Sequence, residues 1–541
     1  MELPPKTSLL RSRYGISTLE IACIVGLALV PLLVGLPYRV NIFLTWEGAY
    51  RLYLGEMPYR DFGIPTGFAF WVIPAIFFKI FGPYLVTLVK AQVLINIISG
   101  LSFRSILRSL KISPGIRLLS IVVFCLSYSF FNFWPWYNQS VIVFELVALS
   151  LLMKYLLRPG LRGKIWHLLG SAAFVFISFF TKQDAGGMTL LICLFLLAYC
   201  CNRRRDYRPL LWFLMFFAAV AAAVILPFSR YGFGYWFNYG QAPHNSRLSG
   251  YDLIDEFLTT SDWLKFYLLA ILMLFLARGQ NLKKYFQDQP RMVFTLLTLG
   301  ILTEAAIFQV TSYTPPDNNI FFHSFAFVFI LTLLNEFLNL DFTKWKILLP
   351  VLGLVVIWWS GTYWKYLDRI LVRDFPSFAA PDENEISIRT YMLNRDTVNS
   401  DSKWVYSDIP AFRKIYMPAS TAKGMDRILQ LPVVKNSPHI RVLNMTELTP
   451  LAWAMPYRPE TGQDIPLWYH KGVAMFQRQI DQYIQRIDQK QYDLVLYEYV
   501  PELNNFFPFE IRNALEQHYR QVDHFLAPRR GSAATIEVYL K

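Results

Sequence analysis

The chain has 541 residues, 54% of them hydrophobic and only 17% charged, with a mean hydropathy of +0.32. A soluble protein carries roughly 25% charged residues, so most of this chain is expected to lie in a membrane. The net charge of +14 comes from basic residues in short connections between apolar runs, which is a topology signal, and no nucleic-acid partner is expected.

The first apolar run begins near Thr18, after Lys6, Arg11 and Arg13. It has no small-residue cleavage site and reads as a retained signal anchor. Residues 38–67 follow, YRVNIFLTWEGAYRLYLGEMPYRDFGIPTG. Glu47, Arg51, Glu56, Arg60 and Asp61 are groups a bilayer cannot hold, and Trp46, Tyr50, Tyr53, Tyr59 and Phe62 among them favour a membrane–water boundary. Carboxylates, guanidiniums and aromatic rings this close together suggest a site for a polar substrate with an anionic lipid end.

Further apolar runs of spanning length begin near Pro83, Arg117, Gln139, Trp166, Ala185, Leu210, Asp262, Arg291, Asn319 and Ile347, giving eleven expected spans. Residues 68–81 are shorter and carry Pro74 and Lys79, so they read as a juxtamembrane helix. With eleven crossings and a cytoplasmic N-terminus, Arg104, Arg108, Lys111, Arg158, Arg162, Lys164 and the arginines of 203–208 all fall inside. An extra span at 68–81 would reverse that pattern. The C-terminus is therefore expected outside, with the long connections 38–67, 131–138 and 230–261.

Within the last of these, Leu253, Ile254, Phe257 and Leu258 alternate with Asp252, Asp255 and Glu256, the pattern of an interfacial amphipathic helix. After about residue 368 strand-like runs alternate with helical ones, as in an α/β domain. The expected fold is an α-helical polytopic membrane protein, with residues 1–367 in the membrane part and 368–541 as an extracytoplasmic α/β domain. The five cysteines lie in or beside apolar runs and show neither a disulfide framework nor zinc spacing.

Glu47, beside Trp46 and before Gly48, is well placed to accept a proton from a hydroxyl, although a solvated loop carboxylate explains it too. Asp61 is the second candidate, and Arg60 next to it reads as its ion-pair partner. Lys182, in Thr181-Lys182-Gln183-Asp184, either holds a lipid phosphate or snorkels to the interface. Tyr137 and Asn138 end the run FNFWPWYN, which offers stacking faces to a sugar or forms an aromatic belt. Lys90, Glu145 and Glu304 lie inside apolar runs, where each requires a partner or a wet cavity. His323 and His244 are candidates for the cavity wall, with structural roles as the alternative.

The stretch WEGAYRLYLGEMPYRDFGIPTGFAFWVIPAIFFKIFG resembles the first outer loop of the glycosyltransferase C superfamily. It is most similar to the bacterial branch related to protein O-mannosyltransferases and the lipid A aminoarabinose transferase. Glu47-Gly48, then Gly55-Glu56-Met57-Pro58-Tyr59-Arg60-Asp61-Phe62, then Phe81-Gly82 match that branch's motifs in order, and Lys182-Gln183 with Gly186-Gly187 resembles its segment after the fifth span. Trp46 departs from the pattern, standing where the first acidic residue of the branch usually sits.

The resemblance implies an inverting sugar transfer from a polyprenyl-phosphate donor to a glycan, lipid or protein hydroxyl, at the outer face of a bacterial inner membrane. It implies Glu47, alone or with Asp61, as base. Lys182 with Arg51 or Arg60 would hold the departing phosphate, and Tyr59, Tyr137, Asn138, Gln183, His244 and His323 would serve as substrate contacts. Some relatives use a divalent metal ion, and the sequence shows no dedicated ligand cluster for one. A transporter or flippase, which would more often show internal repeats, and a non-catalytic assembly protein are the rival classes.

Overall fold

The computed structural model describes residues 13–541 apart from 40–41, 131, 159, 161–162, 242–248, 280, 313–319, 365–366, 368–370, 372–403, 438, 456, 468, 505 and 530–532. The boundary expected at residue 368 lies outside the described residues.

Each of the eleven apolar runs contains a helix. They are α1 (Arg13–Leu29), α4 (Leu85–Ser109), α5 (Pro114–Phe124), α6 (Tyr137–Leu157), α7 (Lys164–Thr181), α8 (Gln183–Arg204), α9 (Arg208–Ile225), α11 (Asp262–Arg278), α13 (Gln289–Ser312), α14 (Phe322–Leu338) and α15 (Trp345–Trp358). Between them lie α2 (Ile42–Tyr53), α3 (Ala69–Phe81), α10 (Gly250–Thr259) and α12 (Asn281–Gln287). Among the described residues seven helices are long and apolar enough to cross a membrane, or eight if α10 and α11, bent by 78°, form one span. The remaining apolar helices are short. The 14 residues of α15 rise about 21 Å, against a hydrocarbon core of about 30 Å. Length and composition among the described residues therefore do not by themselves confirm the eleven expected crossings.

One buried charge of this bundle is paired where three helices meet. Fully buried Glu20 on α1 accepts from Arg104 of α4 at 2.7 Å and from Arg117 of α5 at 2.6 Å, tying three helices together. By contrast, α9 buries only Phe213 and turns Leu211, Trp212, Leu214 and Met215 outward, as a lipid-facing helix does.

The C-terminal part closes one end of the bundle. Strands β1 (Leu36–Pro37), β2 (Trp404–Tyr406) and β3 (Ile415–Pro418) form a sheet in the order β1-β3-β2, with β1 parallel to β3. The two residues of β1 come one short turn after the first helix, so the tail is stitched to the membrane part by backbone hydrogen bonds. A second sheet runs β4-β5-β7-β6, from β4 (Val442–Met445), β5 (Leu494–Tyr499), β6 (Arg520–Leu526) and β7 (Thr535–Leu540). Helices α16 (Ala419–Gln430), α17 (Phe476–Asp488) and α18 (Phe509–His518) accompany these strands. On α17, Ile480, Tyr483 and Ile487 are buried at helical spacing while its other face stays polar.

The first loop and the tail share a single hydrophobic core, in which Trp46, Tyr59, Phe62 and Trp71 are packed with Ile465, Ile480 and Leu496. Gly63 acts as an added strand residue: its N–H donates to Ile465 at 2.7 Å and its carbonyl accepts from Leu467 at 3.0 Å. At the end of the loop, a Cβ on Gly67 would stand 1.8 Å from the carbonyl oxygen of Phe180. That wall is backbone and cannot rotate away. Gly67→Ala is accordingly expected to destabilise the protein by about 1–3 kcal/mol, seen as a lower thermal midpoint in detergent. An unchanged midpoint would mean that loop and α7 can separate freely.

Candidate active-site cavity

Helix α2 carries the candidate base. Glu47 and Arg51 sit one turn apart, and the Arg51 guanidinium reaches Glu47 at 3.0 Å and Glu56 at 2.9 Å. Glu56 returns to that guanidinium because the chain reverses at Gly55, whose φ of +86° is the left-handed conformation that glycine adopts at a helix end. Arg51 also donates to the carbonyl of Glu460 at 2.9 Å and lies over the ring of Phe62. One cation thus joins two carboxylates and the tail.

Both contacts from Arg51 to Glu47 fall on Oε1, and the Glu47 side chain lines the neighbouring space. Burial pushes the Glu47 carboxyl above its ordinary value, and Arg51 only partly offsets this. Glu56 is raised for the same reason.

That space is a cavity of about 230 Å³ between the first loop and the tail. Phe43, Glu47, Trp136 and Tyr137 line it from the membrane part, and Asn444, Thr446, Glu447, His470 and Arg529 line it from the tail. Behind Glu47 a smaller cavity of about 50 Å³ reaches Trp46, Arg51 and Glu460. Arg529 is held between Glu447 at 2.6 Å and Glu498 at 2.5 Å, and the Glu447 N–H donates to Glu498 at 2.8 Å. Tyr38 donates to the Glu447 carbonyl, so this charged group is also fastened to the start of the first loop.

The other candidates are spread out. Asp61 accepts from the Met57 N–H at 2.8 Å and pairs with Arg60, which holds its carboxyl below the ordinary value, and it lines neither cavity. Tyr59 is fully buried with φ +65°, donates to the Thr66 carbonyl and plugs the loop against Phe228 and Phe233. Lys182 pairs with Asp184 at 2.8 Å and with Ser312. It lies over Phe308 on α13 and also lines neither cavity.

Gln183 donates to the Trp236 carbonyl at 2.6 Å, and Asn138 has its Oδ1 buried without a hydrogen-bond partner among the described residues. His323 meets Tyr267 at 2.8 Å, within α14 and α11. His244 lies outside the described residues. Trp46 is a packing residue, stacked on Tyr50 and donating to the Pro83 carbonyl. Glu145 and Glu304 lie beside each other, both fully buried between α6 and α13.

Glu447, His470 and Arg529 were not expected from the sequence. NMTELT and LAPRRG carry no motif, and their place on the cavity follows only from the sheet order. Among the described residues no three His, Cys, Asp or Glu side chains gather to hold a metal ion. The loop carboxylates are each bound by an arginine, so the donor set does not fit a resident metal.

No protein-family model matches the chain, and no curated protein sequence is similar to it. Solved structures are similar. ArnT from Cupriavidus metallidurans in the apo state superposes with a TM-score of 0.54 at 11% identity, over 97% of this chain and 98% of that one. ArnT bound to undecaprenyl phosphate gives 0.49 at 10% identity over 98% of each chain. The Archaeoglobus fulgidus oligosaccharyltransferase with zinc and sulfate gives 0.40 at 9% identity, over 97% of this chain and 73% of that one. The fold of this chain is that of apo ArnT, membrane helices and C-terminal part together.

Proposed function

We propose that the chain is a membrane glycosyltransferase that moves a sugar from a polyprenyl-phosphate donor to a hydroxyl acceptor, with Glu47 as base. The observation that carries this reading is the largely buried Glu47 carboxylate on the cavity wall, fixed by Arg51 through Oε1. The ArnT fold over nearly the whole chain supports the same reaction class, as do the loop motifs. ArnT is the lipid A aminoarabinose transferase. A donor carried on a lipid also suits a site built at one end of a membrane bundle.

In the proposed step, the acceptor O–H proton passes to Glu47 while the oxygen attacks the anomeric carbon. The bond from that carbon to the phosphate oxygen breaks, its electron pair leaves with the lipid phosphate, and the anomeric configuration inverts. Burial that raises the proton affinity of Glu47 makes it a better base than an exposed carboxylate. Arg51 keeps it ionised and aimed. Lys182, with its ammonium between Asp184 and Ser312, is the proposed phosphate ligand at a place apart from Glu47.

The test is release of sugar from a radiolabelled polyprenyl-phosphate sugar by the purified chain, with a membrane extract supplying acceptors. Turnover supports the proposal. Tight lipid binding with no turnover for any donor would instead favour a transporter. The pH profile adds a second check. Glu47 must be ionised to act, and burial holds it above the ordinary 4.5, so kcat/KM is expected to fall on acidification with a midpoint above 4.5. A midpoint at or below that value would remove Glu47 as base.

A further inference from the structure

Among the described residues, the cavity beside Glu47 has the wrong charge balance for an anion. Among the described residues its charged lining is Glu47, Glu447 and Arg529. Arg529 is engaged by Glu447 and by Glu498 behind it, and Arg51 is shared between Glu47 and Glu56. In the wall and directly behind it, four carboxylates, Glu47 and Glu447 on the cavity and Glu56 and Glu498 behind them, therefore share two guanidiniums, with Arg458 adding a longer-range positive charge at Glu56. His470 supplies no cation: burial pushes its pKa down to about 4. Its Nδ1 accepts from the Gly472 N–H, so the neutral ring carries its proton on Nε2 as a donor.

The remaining polar lining, Asn444, Thr446 and Thr449, is neutral, and Trp136, Tyr137 and Tyr469 add aromatic faces. Hydroxyl groups can donate to the carboxylates and accept from His470, while the apolar face of a sugar ring can stack on the aromatics. A phosphate or carboxylate placed here would lose its water and gain like-charge neighbours, both of which oppose its binding.

We propose that this cavity is a sugar subsite selective for rings without an anionic substituent, and that Glu447 enforces the selectivity by occupying Arg529. The proposal rests on the transferase reading only in making that sugar a substrate. Glu447 is a specificity-determining residue and takes no part in the chemical step. Glu447→Gln keeps the side-chain shape and leaves Glu498 on Arg529, but removes the negative charge that offsets the guanidinium on the cavity side, so that an incoming carboxylate meets less repulsion and a stronger attraction there.

The experiment is saturation-transfer NMR on the full-length chain in detergent, with a methyl hexoside and the matching methyl hexuronide as probes. The wild type is expected to bind the hexoside at least about tenfold more tightly, and Glu447→Gln to reduce that ratio by about tenfold. Equal binding of both probes by the wild type, or binding of neither, overturns the proposal even if the variant fails to fold. An unchanged ratio in a folded variant overturns the role of Glu447. Displacement of the hexoside by a polyprenyl-phosphate sugar would assign the subsite to the donor ring, and lack of displacement to the acceptor, either outcome supporting a sugar subsite. Turnover of labelled donor by the same preparation tests the transferase reading separately, so turnover without hexoside binding sinks the subsite alone.

Discussion

Glu47→Gln is expected to lower sugar transfer by about 10²–10⁴-fold while leaving donor binding and folding in place. Glutamine keeps the reach of glutamate and can still accept from Arg51 through its carbonyl, but it cannot take the acceptor proton. Arg51 retains Glu56 and the Glu460 carbonyl, so the variant leaves no cation unpaired. The loss corresponds to about 2.7–5.5 kcal/mol of transition-state stabilisation. Rates with a labelled donor, together with donor affinity and the thermal midpoint of the same preparation, separate lost chemistry from lost structure. Equal turnover in the two proteins would move the base elsewhere, first to Asp61. Asp61 is the weaker candidate: its carboxylate is committed to Arg60 and to the Met57 N–H, and those contacts hold its proton affinity down.

The helices were legible because a bilayer demands long apolar stretches, and each of the eleven runs does contain a helix. Their number as crossings was less legible, because apolar composition marks a helix without fixing its length. The 14-residue α15 and the 17-residue α14 show this. The first loop announced itself through charges that lipid excludes, and Glu47 and Tyr137 do line one cavity.

What the sequence could not show was which loop charges share a space. Asp61 follows Arg60 directly and folds back on its own turn, and Lys182 finds Asp184 two residues away, so short local pairings took both from the cavity. The opposite wall was hidden for the complementary reason. Glu447 and Arg529 are 82 residues apart and meet only because β4, β5 and β7 are neighbours in one sheet. Long-range pairing of this kind leaves no local periodicity to read.

Arg51→Met is expected to be the most destabilising single change in the site, by about 3–5 kcal/mol, because it strands two buried carboxylates. Arg51 is 3% exposed, and Glu47 and Glu56 are 13% and 12% exposed, so water can replace little of the lost guanidinium. The pH dependence has a definite sign. Burial already raises both carboxylates in the folded protein, and without Arg51 they rise further, so the folded variant binds protons that the unfolded chain releases. Its stability is then fullest below the ordinary carboxylate value and falls as pH rises through the folded values. The gap from wild type should accordingly be small in acid and widen toward neutrality. Thermal midpoints of both proteins in detergent across that range measure it. Adding Glu56→Gln to Arg51→Met should recover part of the loss, since one stranded charge is removed. A gap that stays constant with pH, and no recovery in the double variant, would show that Arg51 acts through its packing on Phe62 and its bond to the Glu460 carbonyl.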